Sequence, residues 1–105
     1  MKRGELLDKA KTIISGDREE HYGSPENNFN TIADLWTAYL KRTVTPTAYI
    51  SAMDVANLMI LLKVARLASD YTHDDSWVDI AGYAACGSEI ISDYIERKAQ
   101  AAQGL

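Results

Sequence analysis

An all-α, single-domain bundle of about four helices is predicted by three features of the chain. Apolar residues recur at helical spacing in four separate stretches, no stretch alternates convincingly with period two, and the third stretch is apolar almost all round. A length of 105 residues rarely supports two cores, so residues 1–105 read as one helical domain. An apolar fraction of 47% against 25% charged lies at the globular average, which argues against disorder.

The first helix is predicted over about residues 4 to 15. Leu6, Leu7, Ala10, Ile13 and Ile14 share one face, and Gly16 suits the left-handed position that closes a helix. Residues 16–28 then form a polar loop with turn glycines, Pro25, a cation, an aromatic and an amide. Ser24 or Pro25 can open a second helix, because the N–H that proline lacks would be unpaired in the first turn anyway. Phe29, Ile32, Ala33, Leu35, Trp36, Tyr39 and Leu40 make its stripe up to about Arg42, and a connector with Pro46 follows. Ser51 and Asp54 have capping-box spacing with Asp in place of Glu, and they open a third helix that runs to about Ser69. A fourth helix is expected from about Ser76 to Gln100, capped by Asp74 or Asp75, with a frayed tail at 101–105.

The third helix is expected to be buried on all sides. Val55, Leu58, Met59, Leu62 and Ala65 cover one side, and Ile60, Val64 and Leu67 the other. Asp54, Asn57, Lys63 and Arg66 must then point into narrow gaps, where an unpartnered charge costs several kcal/mol. Either Asp54 caps the helix while Lys63 and Arg66 snorkel or pair with loop carboxylates, or Lys63 and Arg66 hold phosphate or carboxylate oxygens, Arg66 through its bidentate fork.

On the fourth helix, Asp75, Asp79, Gly82, Cys86, Glu89 and Asp93 stack as an acidic stripe beside a buried face of Ile80, Tyr83, Ala84, Gly87, Ile90, Ile91 and Tyr94. Gly82 and Gly87 each cost roughly 1 kcal/mol relative to alanine, so close packing, within the bundle or across a dimer, or a ligand's approach is expected there. Asp75 and Asp79 could give two carboxylates to Mg²⁺, with Asp17, Glu19 and Glu20 completing the oxygen shell, or they could be an ordinary solvated helix edge. In the polar loop, Arg18 could meet a phosphate, Tyr22 stack on a base and Asn28 read a base edge. Equally, Asp17 could cap, Arg18 pair with Asp79, and Tyr22 pack on Trp36.

The formal charge of −4 disfavours general nucleic-acid binding. Lone Cys86, the lack of a basic-then-apolar leader and the lack of a stretch of roughly 20 apolar residues point to a cytoplasmic location and no membrane contact. A core this small with ionic groups at its centre leads to the expectation of a homo-oligomer, a dimer or larger.

Gly16-Asp17-Arg18 with Tyr22-Gly23-x-Pro25-x-x-Asn28-Phe29, then Asp54-Val55 with Lys63-x-x-Arg66, then Asp75-x-x-x-Asp79-Ile80-Ala81-Gly82-Tyr83, resembles a family of small proteins encoded by tailed bacteriophages and prophages. More distantly, this order of elements is similar to phage nucleotide-modification-associated proteins and to the MazG-like all-α nucleoside triphosphate pyrophosphohydrolases. The distant resemblance implies a MazG-like fold, a nucleotide ligand and Mg²⁺-dependent hydrolysis. In place of the paired Glu-x-x-Glu and Glu-x-x-Asp motifs of those hydrolases, the chain has Asp17-x-x-Glu20 and Asp75-x-x-x-Asp79. The expected ligand set is Arg18, Tyr22, Asn28, Asp54, Lys63, Arg66 and Tyr83, and the expected metal set is Asp17, Glu20, Asp75 and Asp79. The alternatives are a non-catalytic sponge that sequesters a nucleotide signal of host defence, and a structural oligomeric module with a dimer seam at Gly82 to Gly87.

Overall fold

The computed structural model describes residues 1–16 and 24–104 and contains four α-helices, with no strand among those residues. They are α1 (Arg3–Ser15), α2 (Pro25–Thr43), α3 (Ala52–Ser69) and α4 (Asp74–Gln103). Pro25 is the first residue of α2, so the polar connection ends before residue 25 instead of running to 28.

Ser51 and Asp54 form the capping box in full. The Asp54 N–H donates to Ser51 Oγ at 3.1 Å, and the Ser51 N–H donates to Asp54 Oδ2 at 2.9 Å. Upstream, the connector is tied to α2 by Thr37, whose hydroxyl accepts the Ile50 N–H at 2.9 Å and donates to the Ile50 carbonyl at 3.3 Å.

The turn from α3 to α4 is short, which makes the two helices antiparallel neighbours. Asp70 shapes it: Oδ1 accepts the Thr72 N–H at 3.0 Å and the Thr72 hydroxyl at 2.5 Å. The two Thr72 bonds, side chain first, hold the Asp70 carboxyl below its usual range by favouring the charged form. α4 begins two residues earlier than the sequence predicts, with His73 at the N-cap in place of an aspartate cap. The His73 ring bonds through Nδ1 to Ser76 Oγ at 2.7 Å, which accounts for a fully buried serine in the first turn. At the other end the helix runs to Gln103, three residues past the expected end at Gln100, and Gly104 N–H bonds to the Gln100 carbonyl.

The core is assembled where α2, α3 and α4 meet, from Phe29, Ala33, Ala52, Val55, Ala56, Tyr83, Cys86 and Ile90. α3 packs most extensively on α4, α1 lies on α4 alone, and α2 lies mainly on α3. Small residues set these separations. A side chain on Gly82 would meet Ile14 of α1 at 3.4 Å, and one on Gly87 would meet Ala56 of α3 at 3.1 Å. The expected small-residue seam is thereby used for close packing within the chain.

Two expectations about burial are corrected. α4 buries Ser76, Val78, Gly82, Tyr83, Cys86 and Ile90, while Ala84, Ile91 and Tyr94 are exposed. The face is rotated because α1 covers the side on which Gly82 lies, and hydrophobicity alone could not see a glycine as a contact. α3 is not enclosed. It buries Ala52, Val55, Ala56 and Leu67 but leaves Leu58, Leu61, Leu62 and Val64 open, because only α2 and α4 pack on it among the described residues.

Candidate functional site

Lys63 lies on the inward side of α3, one to two turns beyond Val55, Ala56 and Met59, so its methylene stem runs through apolar surroundings. Antiparallel pairing of α3 with α4, fixed by the close approach of Gly87 to Ala56, carries Asp79 opposite it. The Lys63 amine and Asp79 Oδ2 are 2.9 Å apart, with the side chains 12% and 30% exposed. Partial desolvation makes this pair stronger than one at a free surface and leaves either partner poorly tolerated alone.

Asp79 also borders a cavity of about 20 Å³ with Ile14, Phe29, Gly82, Tyr83 and Cys86. That is room for about one water. Tyr83 is its link to a second space. The ring packs on Phe29 with centroids 6.1 Å apart, and the residue also lines an open groove of about 390 Å³ between α3 and α4. The groove is lined by Met53, Asn57, Ile60, Gly87, Ser88 and Ile91, among others, and its size is that of a small-molecule site. Asn57 and Ser88 bring an amide and a hydroxyl to an otherwise apolar lining.

Of the expected ligand residues, Lys63 and Tyr83 are associated with this joint. Asp54 is nine residues from Lys63, about 13 Å along the helix, and its carboxylate is committed to the α3 cap. Arg66 is exposed near the end of α3, and its carbonyl accepts the Asp70 N–H. Asn28 is half-buried in the first turn of α2. Arg18 and Tyr22 lie outside the described residues.

The expected metal residues divide in the same way. Asp17 and Glu20 lie outside the described residues. Asp75 is exposed and 3.6 Å from Lys9 of α1, while Asp79 is held by Lys63, so the two carboxylates answer to different cations. Among the described residues no three potential metal ligands come together, and no chemical step through Mg²⁺ is derived from them. The sequence marks Asn57 as a polar group of α3 in need of a partner or ligand, whereas no pattern in it marks Ser88. The signal that could have found Ser88 was its place one residue after Gly87 on a helix that another helix approaches closely.

No helix among the described residues is long and apolar enough to cross a membrane. No solved structure matches the chain. Two mycobacteriophage proteins do match it. The Gene 55 protein of Mycobacterium phage D29 is 43% identical over 91 residues, covering 87% of this chain and 56% of the relative. The Gene 55 protein of Mycobacterium phage L5 is 48% identical over 79 residues, covering 75% of this chain and 47% of the relative. The chain thus spans about half the length of the phage relatives it matches. Residues 5–91, which carry all four helices as far as Ile91 and include Lys63, Asp79, Tyr83 and the groove, match the model of a domain of unknown function, DUF6378, and the chain belongs to that family.

Proposed function

We propose that this phage-family chain binds a nucleotide in the groove between α3 and α4, with Lys63 as the cation for its phosphates. The observation that carries the reading is the Lys63–Asp79 pair: an amine held at 2.9 Å in an apolar helix joint, each partner about one helical turn from a residue, Ile60 or Tyr83, that lines a groove of small-molecule size. An anionic ligand exchanges the carboxylate partner of Lys63 for phosphate oxygens, while Asn57 and Ser88 offer hydrogen bonds to the uncharged part and Tyr83 adds an aromatic edge to the lining. Asp79 holds the amine in place when the groove is empty.

Nucleoside mono-, di- and triphosphates and cyclic nucleotides, each with and without Mg²⁺, are tested for thermal stabilisation and for pyrophosphate release. Binding is expected for at least one of them. Asn57→Ala and Ser88→Ala, both at exposed positions, are expected to weaken it by about tenfold each without changing the melting temperature of the free protein. Pyrophosphate released with Mg²⁺ makes the chain a hydrolase, and a nucleotide recovered intact after denaturation makes it a sequestering protein. Failure of every nucleotide to stabilise the protein, or equal binding by both variants, overturns the reading.

A further inference from the structure

α3 contains only three charged residues, and Lys63 is turned inward to Asp79. Its outer surface therefore carries no charge between Asp54 and Arg66. Leu58, Leu61, Leu62 and Ala65, at i, i+3, i+4 and i+7, line that surface, and the leucines are 41%, 60% and 43% exposed. On the adjoining helix α2, Leu35 and Tyr39 are 66% and 67% exposed. The two helices are joined on this side by an apolar groove of about 250 Å³ lined by Trp36, Tyr39, Leu40, Ile50 and Leu58. Scattered exposed leucines are ordinary, but an uncharged helical stripe continuous with an aromatic groove is not.

The size of the uncovered surface fits a second copy of the chain. The chain exposes 7555 Å², whereas a compact monomer of its mass exposes about 5,800 Å². Its radius of gyration is 15.9 Å, against about 13 Å for a compact domain of this length. Part of the excess is the end of α4, which at about 45 Å outruns α3. The whole excess is about 1,750 Å² per chain, and an obligate homodimer of about 2,000 Å² in total needs about 1,000 Å² of it from each copy.

We propose that the outer face of α2 and α3 is a self-association surface on which a second copy of this chain seats its own α3 antiparallel. A two-fold axis near Leu58 and Leu62 gives an isologous contact. It sets acidic Asp54, at the start of one α3, against basic Arg66, at the end of the other. An aliphatic side chain from each copy enters the Trp36–Tyr39 groove of the other. The proposal is independent of the nucleotide reading, since the α3–α4 groove lies on a different side of α3.

Analytical ultracentrifugation from about 1 to about 100 µM chain tests it. The unaltered protein is expected to sediment at twice the chain mass, and Leu61→Glu to weaken association by at least tenfold with its helical circular dichroism retained. Should that variant not fold, the Leu61→Cys variant treated with a short bis-maleimide is expected to form covalent dimers. A Lys11→Cys variant, on exposed α1, and the unaltered chain with buried Cys86 alone should not. A monomer throughout the concentration range, a Leu61→Glu protein that associates as tightly as the original, or cross-linking no greater through Leu61→Cys than through Lys11→Cys overturns the proposal.

Discussion

At the scale of single residues, the groups that stood out in the sequence did so because they broke a pattern. Lys63 is a charge in an apolar helix, and the requirement that it have a partner was legible from that alone. Its partner was not, because Asp79 is brought opposite by the register of α3 on α4, which a four-residue turn sets and no local pattern encodes. The pair makes a prediction about stability. Lys63→Met keeps the apolar stem and strands Asp79, so it should cost about 1–3 kcal/mol, between the values for surface and buried pairs. Asp79→Leu, which strands the amine, should cost a similar amount. Combining the two should recover most of the loss, and urea unfolding of the four proteins measures it. Additive costs in the double variant would show that the pair is not what couples the helices. Asp70 makes a second prediction, concerning pH. Its carboxyl titrates below its ordinary value in the folded chain because of Thr72, so its contribution is complete above the unfolded value of about 4 and is lost as pH falls through the folded value. Asp70→Asn should therefore flatten the acid limb of the stability curve, which unfolding measured at neutral and strongly acid pH would detect.

At the scale of elements, the boundaries that were legible are those set within one turn of chain. Ser51 and Asp54 specify the start of α3 by their own spacing, and Pro25 specifies the start of α2. Which face of α4 is buried was not legible, because the deciding contact is made by a residue without a side chain. Gly82 lies under Ile14, so the helix turns its Val78–Gly82–Cys86 side inward and leaves Ile91 and Tyr94 outside. The two interior glycines should then respond differently to alanine. At Gly82 the added methyl meets Ile14 at 3.4 Å, an ordinary contact, so Gly82→Ala should gain up to about 1 kcal/mol from helix propensity. At Gly87 it meets the Ala56 methyl at 3.1 Å, so part of that gain is offset by pushing α3 outward. Thermal melting should rank Gly82→Ala above Gly87→Ala. The reverse order would mean that α1 is held more tightly against α4 than α3 is.

At the scale of the whole molecule, the sequence pattern of α3 and its surroundings in one chain disagree. The pattern asks for cover on nearly every side, and a single copy supplies cover on one. Of the other helices, α2 and α4 pack on α3 while α1 packs on α4, so among the described residues the outer side of α3 is uncovered. If a second copy supplies that cover, association is linked to folding, and stability depends on concentration by mass action. With an unfolding enthalpy of about 0.7 kcal/mol per residue over two chains, the melting temperature should rise by about 3 °C for each tenfold increase in protein. The contact is chiefly uncharged, so moderate salt should leave that slope nearly unchanged, whereas Leu61→Glu should abolish it. Calorimetric scans over a hundredfold range of concentration make the measurement. A melting temperature that is constant across the range would mean that the exposed leucines of α3 are carried by a folded monomer.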